Sequence, residues 1–192
     1  MRKLLLLFAC FGIISCKSHK LTAESEEKYQ LENLSEVISR KNIDNIYPDA
    51  NIAEGTDLFE EGTVERPYTI LYPHTKDEIL IVWQDASRST PEQIYVDREG
   101  RWSSKKGIKV GTSYEELEEI NNGPIKFYGF GWDYSGAVDW NEGKMADSDV
   151  QVFLAPENAP PQSFYGDHII EEDPEKIINL HLKVRAIVFK KS

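Results

Sequence analysis

Three features of this 192-residue chain predict an α+β fold built on an antiparallel meander sheet. Strand-like runs fall into two groups, Thr69 to Val96 and Ile125 to Ala155, instead of alternating one for one with helices. Two helical patterns are in view, one ahead of each group, too few for a doubly wound parallel sheet. A final run from Leu180 to Phe189 alternates polar and apolar residues and then becomes apolar on both faces, as expected of a strand inside a sheet. The repeated order of helix then strands suggests two related α–β–β–β units, 33–100 and 101–192, sharing one sheet within a single globular domain over 33–192.

The chain begins Met1-Arg2-Lys3, followed by an apolar run from Leu4 to Ile14 and then Ser15. A basic start and a short apolar stretch are the grammar of a secretory signal, here residues 1–15. At ~1.5 Å per helical residue the run falls short of a ~30 Å hydrocarbon core. Ile13-Ile14-Ser15-Cys16 resembles the lipobox of bacterial lipoproteins: branched apolar residues, a small residue, then cysteine. The competing reading is an ordinary cleavage site with an incidental Cys16, but such sites want two small positions and Ile13 is not small. The resemblance implies removal of the signal, acylation of Cys16, and a membrane-anchored protein of the cell envelope facing the periplasm. Each buried methylene contributes about 0.8 kcal/mol, so two or three acyl chains on Cys16 would anchor the domain stably.

Residues 16–32 are mostly polar and read as a lipidated N-terminus and tether. A helix is expected from Asn33, which can cap it with Glu36 three residues on, while Leu34, Val37 and Ile38 share a face. Pro48 ends any continuation. Thr69–Tyr72 and Glu78–Trp83 read as strands around the turn-forming Pro73-His74-Thr75-Lys76-Asp77, and Gln93–Val96 as another. A second helix starts at a Ser113/Glu116 capping box, carries Tyr114, Leu117 and Ile120 on one stripe, and stops at Asn121-Asn122-Gly123-Pro124. Strands follow at Ile125–Asp133, Ala137–Trp140 and Val150–Ala155, then a proline-containing loop from Pro156 to Asp173.

Charge and cysteine content exclude several functions. The formal charge is −11, and losing the two basic residues of 1–15 makes it −13. Such a surface repels phosphate backbones, so no nucleic-acid partner is expected. The two cysteines are Cys10, within the signal, and Cys16, so the expected mature domain has no disulfide, thiolate nucleophile or cysteine metal site. His19, His74, His168 and His181 have neither ligand nor triad spacing, and no metal or cofactor motif is present. Asp147-Ser148-Asp149 lacks the glycine and terminal glutamate of an EF-hand loop.

The strongest local pattern is Gly129-Phe130-Gly131-Trp132-Asp133-Tyr134-Ser135-Gly136. Together with Gly111-Thr112-Ser113 through Gly123, it resembles a family of uncharacterised bacterial lipoproteins with a G-T-S-x-x-E-L-E-x-x-N-G segment followed by G-F-G-W-D-Y-G-G. The resemblance runs from about Leu34 to Trp140 and takes in Asn51–Thr56 and Glu60–Glu65. Here Ser135 replaces the first glycine of the final pair and Asn122 is inserted before Gly123. The resemblance implies fold and location but no activity. Its layout is also similar, at the level of fold alone, to the β-lactamase-inhibitor-like proteins, and fold does not carry function.

Two readings of the glycine-aromatic segment stand side by side. In one, glycines let rings pack on backbone, Asp133 caps a turn and Tyr134-Ser135-Gly136 closes a hairpin. In the other, Phe130, Trp132, Tyr134 and Trp140 present rings to a partner, with Asp133 as an acceptor. The expected function is a non-enzymatic binding role towards a protein or envelope glycan. A periplasmic hydrolase using sequence-distant carboxylates, or a structural envelope component, is the alternative.

Overall fold

A computed structural model describes residues 26–191. The signal 1–15, the lipidation site Cys16 and the tether up to residue 25 lie outside the described residues. The domain begins earlier than the polar composition suggests. Tyr29 and Leu31, within the stretch read as tether, are buried, and their backbones bond Ser103 through Leu31 N–H to Ser103 O at 2.9 Å and Ser103 N–H to Tyr29 O at 3.1 Å.

Helix α1 spans Leu31–Val37 and buries Leu31 and Leu34. Its N-cap is Gln30; Asn33 sits inside the first turn, with its amide donating to Gln30 Oε1 and Glu27 O, both at 3.0 Å. A short helix α2, Ile43–Ile46, ends at Tyr47, just before Pro48. Strands β1 (Ala53–Phe59), β2 (Val64–Leu71), β3 (Ile79–Trp83) and β4 (Pro91–Val96) then follow as a meander. Helix α3, Tyr114–Asn121, starts on the expected reciprocal capping box of Ser113 and Glu116. Asn122, not Gly123, takes the left-handed conformation at its end, with φ 54°. Short β5 (Lys126–Phe127) and β6 (Val138–Asp139) pair with each other, followed by β7 (Val150–Ala155), helix α4 (Pro174–Ile178) and β8 (Lys183–Phe189). The described residues thus hold four α-helices where two patterns were legible; α2 and α4 are too short to show a helical period.

The main sheet has six strands in the order β1-β2-β3-β4-β8-β7, and every neighbouring pair is antiparallel. The first half of the chain supplies four consecutive strands, and the second supplies β7 and β8 plus the separate β5–β6 pair. The last strand therefore sits between β4 and β7, in the interior where its apolar end belongs.

Register sorts the side chains into two faces. One row reads Thr69, Ile81, Ile94, Phe189, Val150 across five strands, all buried. Thr69 is tolerated there because its hydroxyl accepts the Trp83 indole N–H at 2.8 Å. Residues of all four helices, among them Leu34, Ile43, Leu117 and Ile177, pack into the core on this side. The free edge β1 is partly closed by Arg88, whose guanidinium donates to Gly55 O at 3.2 Å and pairs with Glu54.

Candidate functional site

The glycine-aromatic segment is divided by depth. Phe130 and Trp140 are buried, at 6% and 7% exposure, and the Trp140 indole donates to Val150 O at 3.1 Å. They are core residues, which corrects the reading of them as rings offered to a partner: a buried ring has no free face. Trp132 is half-buried, and Asp133 and Tyr134 are exposed. The Trp132 indole N–H donates to Gly129 O at 2.8 Å, and its ring lies 5.7 Å from Tyr128 and 5.4 Å from Tyr134. An aromatic ladder thus climbs from half-buried Tyr128 to exposed Tyr134.

Ser135, rather than Asp133, ties the turn: its hydroxyl accepts from Gly131 N–H at 3.2 Å and its own N–H donates to Trp132 O at 3.0 Å. Gly129 is required by close approach, since a Cβ there would sit 2.5 Å from Gly166 O. Gly136 has φ 72°, and a Cβ would meet Leu154 O at 2.1 Å. Both glycines serve to press this segment onto β7 and the 164–166 loop.

The segment borders a larger feature that the sequence did not reveal. On the sheet face away from the helices, register aligns Ala53, Ile70, Leu80, Tyr95, Val188 and Gln151 across all six strands. Ile70, Leu80, Tyr95 and Val188 are half-buried, and none of them belongs to the core cluster. A second row continues the face with Tyr68, Val82 and Gln93, and Tyr68 lies across Gly55, filling the space a side chain would need. Residues from every strand of the main sheet, Phe59, Arg66, Val82, Gln93, Val188 and Phe153, line a trough of about 570 Å³ that Tyr134 also borders. Arg185 joins the two features: its guanidinium donates to Ser135 O at 3.1 Å and lies 5.4 Å from the Phe153 ring centre.

Electrostatics at the trough is paired. Arg66 bonds Glu60 at 2.7 Å, and Lys190 bonds Glu92 at 2.9 Å. The hydrogen bond from Lys190 holds the Glu92 carboxyl below its usual range, while burial, with Asp97 adding to it, pushes the Tyr95 phenol up. The carboxyls of Asp49, Asp85, Glu92, Glu116, Glu157 and Glu172 are displaced downward, each first by hydrogen bonds. For these six the shift is opposite to the one a carboxylic general acid needs. The buried polar side chains among the described residues are Thr69, Ser104, Thr112 and Asn121. Among the described residues no group of three His, Cys, Asp or Glu could hold a metal ion, and no helix is long and apolar enough to cross a membrane.

No protein-family model matches the sequence, and no curated protein matches it. Among solved structures the chain is similar to the uncharacterized protein YfeY from Escherichia coli, at 13% identity over 85% of this chain and 89% of that one. The TM-score is 0.47, a likeness that carries no inference about activity.

Proposed function

We propose that this chain is a lipid-anchored cell-envelope protein, held through acylated Cys16 and facing the periplasm, with a non-enzymatic binding role towards a protein or an envelope glycan. Its surface for that role is the sheet face carrying Ile70, Leu80, Tyr95 and Val188. The observation that supports this reading is the apolar row itself, which runs across the sheet on the side to which no helix among the described residues contributes. A contiguous row of half-buried apolar side chains on a sheet face is surface of the kind that marks interaction sites. The tight Ile13-Ile14-Ser15-Cys16 grammar supports the anchor. The resemblance to bacterial lipoproteins in the Gly111–Gly136 region supports the same location.

Two measurements test the two halves of this reading. Wild-type protein should enter the detergent phase of a phase split, and Cys16→Ser should leave uncleaved precursor or aqueous material. Wild-type protein in the aqueous phase as a cleaved, free species would overturn the anchor. For the binding face, Leu80→Ala with Tyr95→Ala should keep a cooperative unfolding transition while losing whatever co-purifies with the solubilised protein. Unchanged co-purification would overturn the assignment of this face.

A further inference from the structure

Resting on that binding reading, we infer that the occupant of the open sheet face is a protein whose contact surface has an apolar centre bordered on one side by lysine and arginine. The face carries its charge at its ends and none in its middle. The central row, Ile70, Leu80, Tyr95 and Val188, is uncharged, as are Val82 and Gln93 beside it. At one end stand Glu60, Glu61 and Glu92, with Arg66 engaged by Glu60 and Lys190 by Glu92. At the other end Glu78 and Asp97 border a hollow of about 130 Å³ floored by Leu80 and Tyr95. Arg98 is shared between those two acids, 3.5 Å from Glu78 and 3.4 Å from Asp97. The first end is left with one carboxylate more than its cations, three against two, whereas Arg98 and Arg185 balance Glu78 and Asp97 at the second, where Arg185 and Arg98 both act on Tyr95. The complementary surface is apolar in the middle and basic at the margin that meets Glu60, Glu61 and Glu92.

The same charges discriminate against other occupants. A second copy without residues 1–15 would bring a further formal charge of −13 onto an acidic rim, and an anionic bilayer is repelled in the same way. Size argues against a small ligand. Six strands spaced ~4.8 Å apart, each 17–26 Å long at ~3.3 Å per residue, present roughly 500 Å². That is much of the ~800 Å² a protein partner covers, and exposed Tyr134 with half-buried Trp132 extends it at the β7 margin. A small-molecule site would instead enclose most of its ligand.

The test uses the full lipidated chain in its own envelope. A benzophenone amino acid is placed at Gln93, in the centre of the face, or at exposed Glu119 on α3 as a control, and irradiated in cells. The expected result is a defined protein adduct at Gln93 and none at Glu119. The adduct partner, identified by mass spectrometry and purified, should bind solubilised wild-type protein with an affinity that falls as salt rises from about 0.05 to 0.5 M. Leu80→Glu should weaken it about tenfold or more. Gln93→Glu, milder for the fold, should weaken it in the same direction. An adduct digested by a muramidase would overturn the protein partner and keep the binding face. An adduct of twice the chain's mass, or one to lipid, would overturn the basic partner in favour of self-association or membrane contact. A partner whose affinity ignores salt would overturn the charge argument. No adduct at Gln93, or equal yields at Gln93 and Glu119, would overturn the binding face itself.

Discussion

Replacing Asn121 by aspartate changes one atom pair in the core and should have a large, pH-dependent effect on stability. Asn121 is the last residue of α3 and is fully buried. Its amide N–H donates to Trp140 O at 3.0 Å and to Gly123 O at 3.3 Å, while its Oδ1 accepts from Met145 N–H at 3.1 Å. The 140–145 loop is built around this side chain: a Cβ on Gly143 would lie 2.1 Å from the Asn121 amide nitrogen. Aspartate has nearly the same shape, so no cavity opens and the Met145 bond survives. At neutral pH the donor is gone, and a charged oxygen faces two carbonyls. Leaving a buried group unpaired costs about 1–3 kcal/mol. With the long Gly123 contact at the low end of that range, the loss is about 3 kcal/mol.

The pH dependence has a definite sign. Burial and the two carbonyls disfavour the ionised form, so the introduced carboxyl has a folded pKa above its unfolded value of ~3.9. Below the unfolded value the carboxyl is protonated in both states and can donate to Trp140 O, so the deficit is small. It grows as pH rises past that value and levels off above the folded pKa, a span of about two units at ~1.4 kcal/mol per unit. Urea unfolding of wild-type and Asn121→Asp protein from residue 26 onward, between pH 4 and pH 8, reads the difference directly, provided the m-values agree. A deficit under about 1 kcal/mol at pH 7, or one that does not shrink towards pH 4, would refute the assignment of Asn121 as the post that holds this loop.

Trp132→Ala should cost about 1–3 kcal/mol, less than the ~3–5 of a fully buried tryptophan, and Asp133→Asn should stay within about 0.5, both read by urea unfolding. Ser113→Ala removes the oxygen that accepts from Glu116 N–H at 3.2 Å and should lower stability by about 1 kcal/mol; an unchanged midpoint would contradict the capping box. Glu92 has its carboxyl held low by Lys190, so its contribution is complete above the ordinary carboxylate range and is lost as pH falls through the lower folded value. Glu92→Gln should therefore lower stability most near pH 8 and least at acid pH, which flattens the acid limb of a stability–pH curve.

What could be read from sequence was set by how locally each element is encoded. Strands β3, β7 and β8 and the capping box of α3 carry their signal in a few adjacent residues, and the chain folds accordingly. Strand β1 escaped notice because Ala53–Phe59 is an edge strand with no residue fully buried, so its hydrophobic alternation is faint. Tyr29 and Leu31 looked like stray apolar residues among charges; their burial depends on Ser103, more than seventy positions away. Likewise Phe164 and Ile170, in what reads as a proline-containing loop, are buried, with Ile170 N–H bonded to Phe127 O at 2.9 Å. Residue type alone assigned one role to Phe130, Trp132, Tyr134 and Trp140, and only three-dimensional packing separates the core pair from the half-buried and exposed pair. The open face could not be read at all, because Ile70, Leu80, Tyr95 and Val188 become a row only when four strands pair in register.

That row depends on β8. Val188 bridges Tyr95 on β4 and Gln151 on β7, so the face is continuous only once β8 has entered between strands from the two halves of the chain. The same strand closes the core, because Ile187 and Phe189 point to the helix side and are buried. Adjacent positions on β8 therefore carry separate burdens. A large-to-small change at Ile187 strikes a fully buried site, where an isoleucine-to-alanine change costs about 2–5 kcal/mol, and disturbs both faces through the fold. A change at Val188 removes surface from the proposed docking row and leaves the helix-side packing in place. Stability and recognition are thus separable along one strand, because its side chains alternate between the two faces with a period of two.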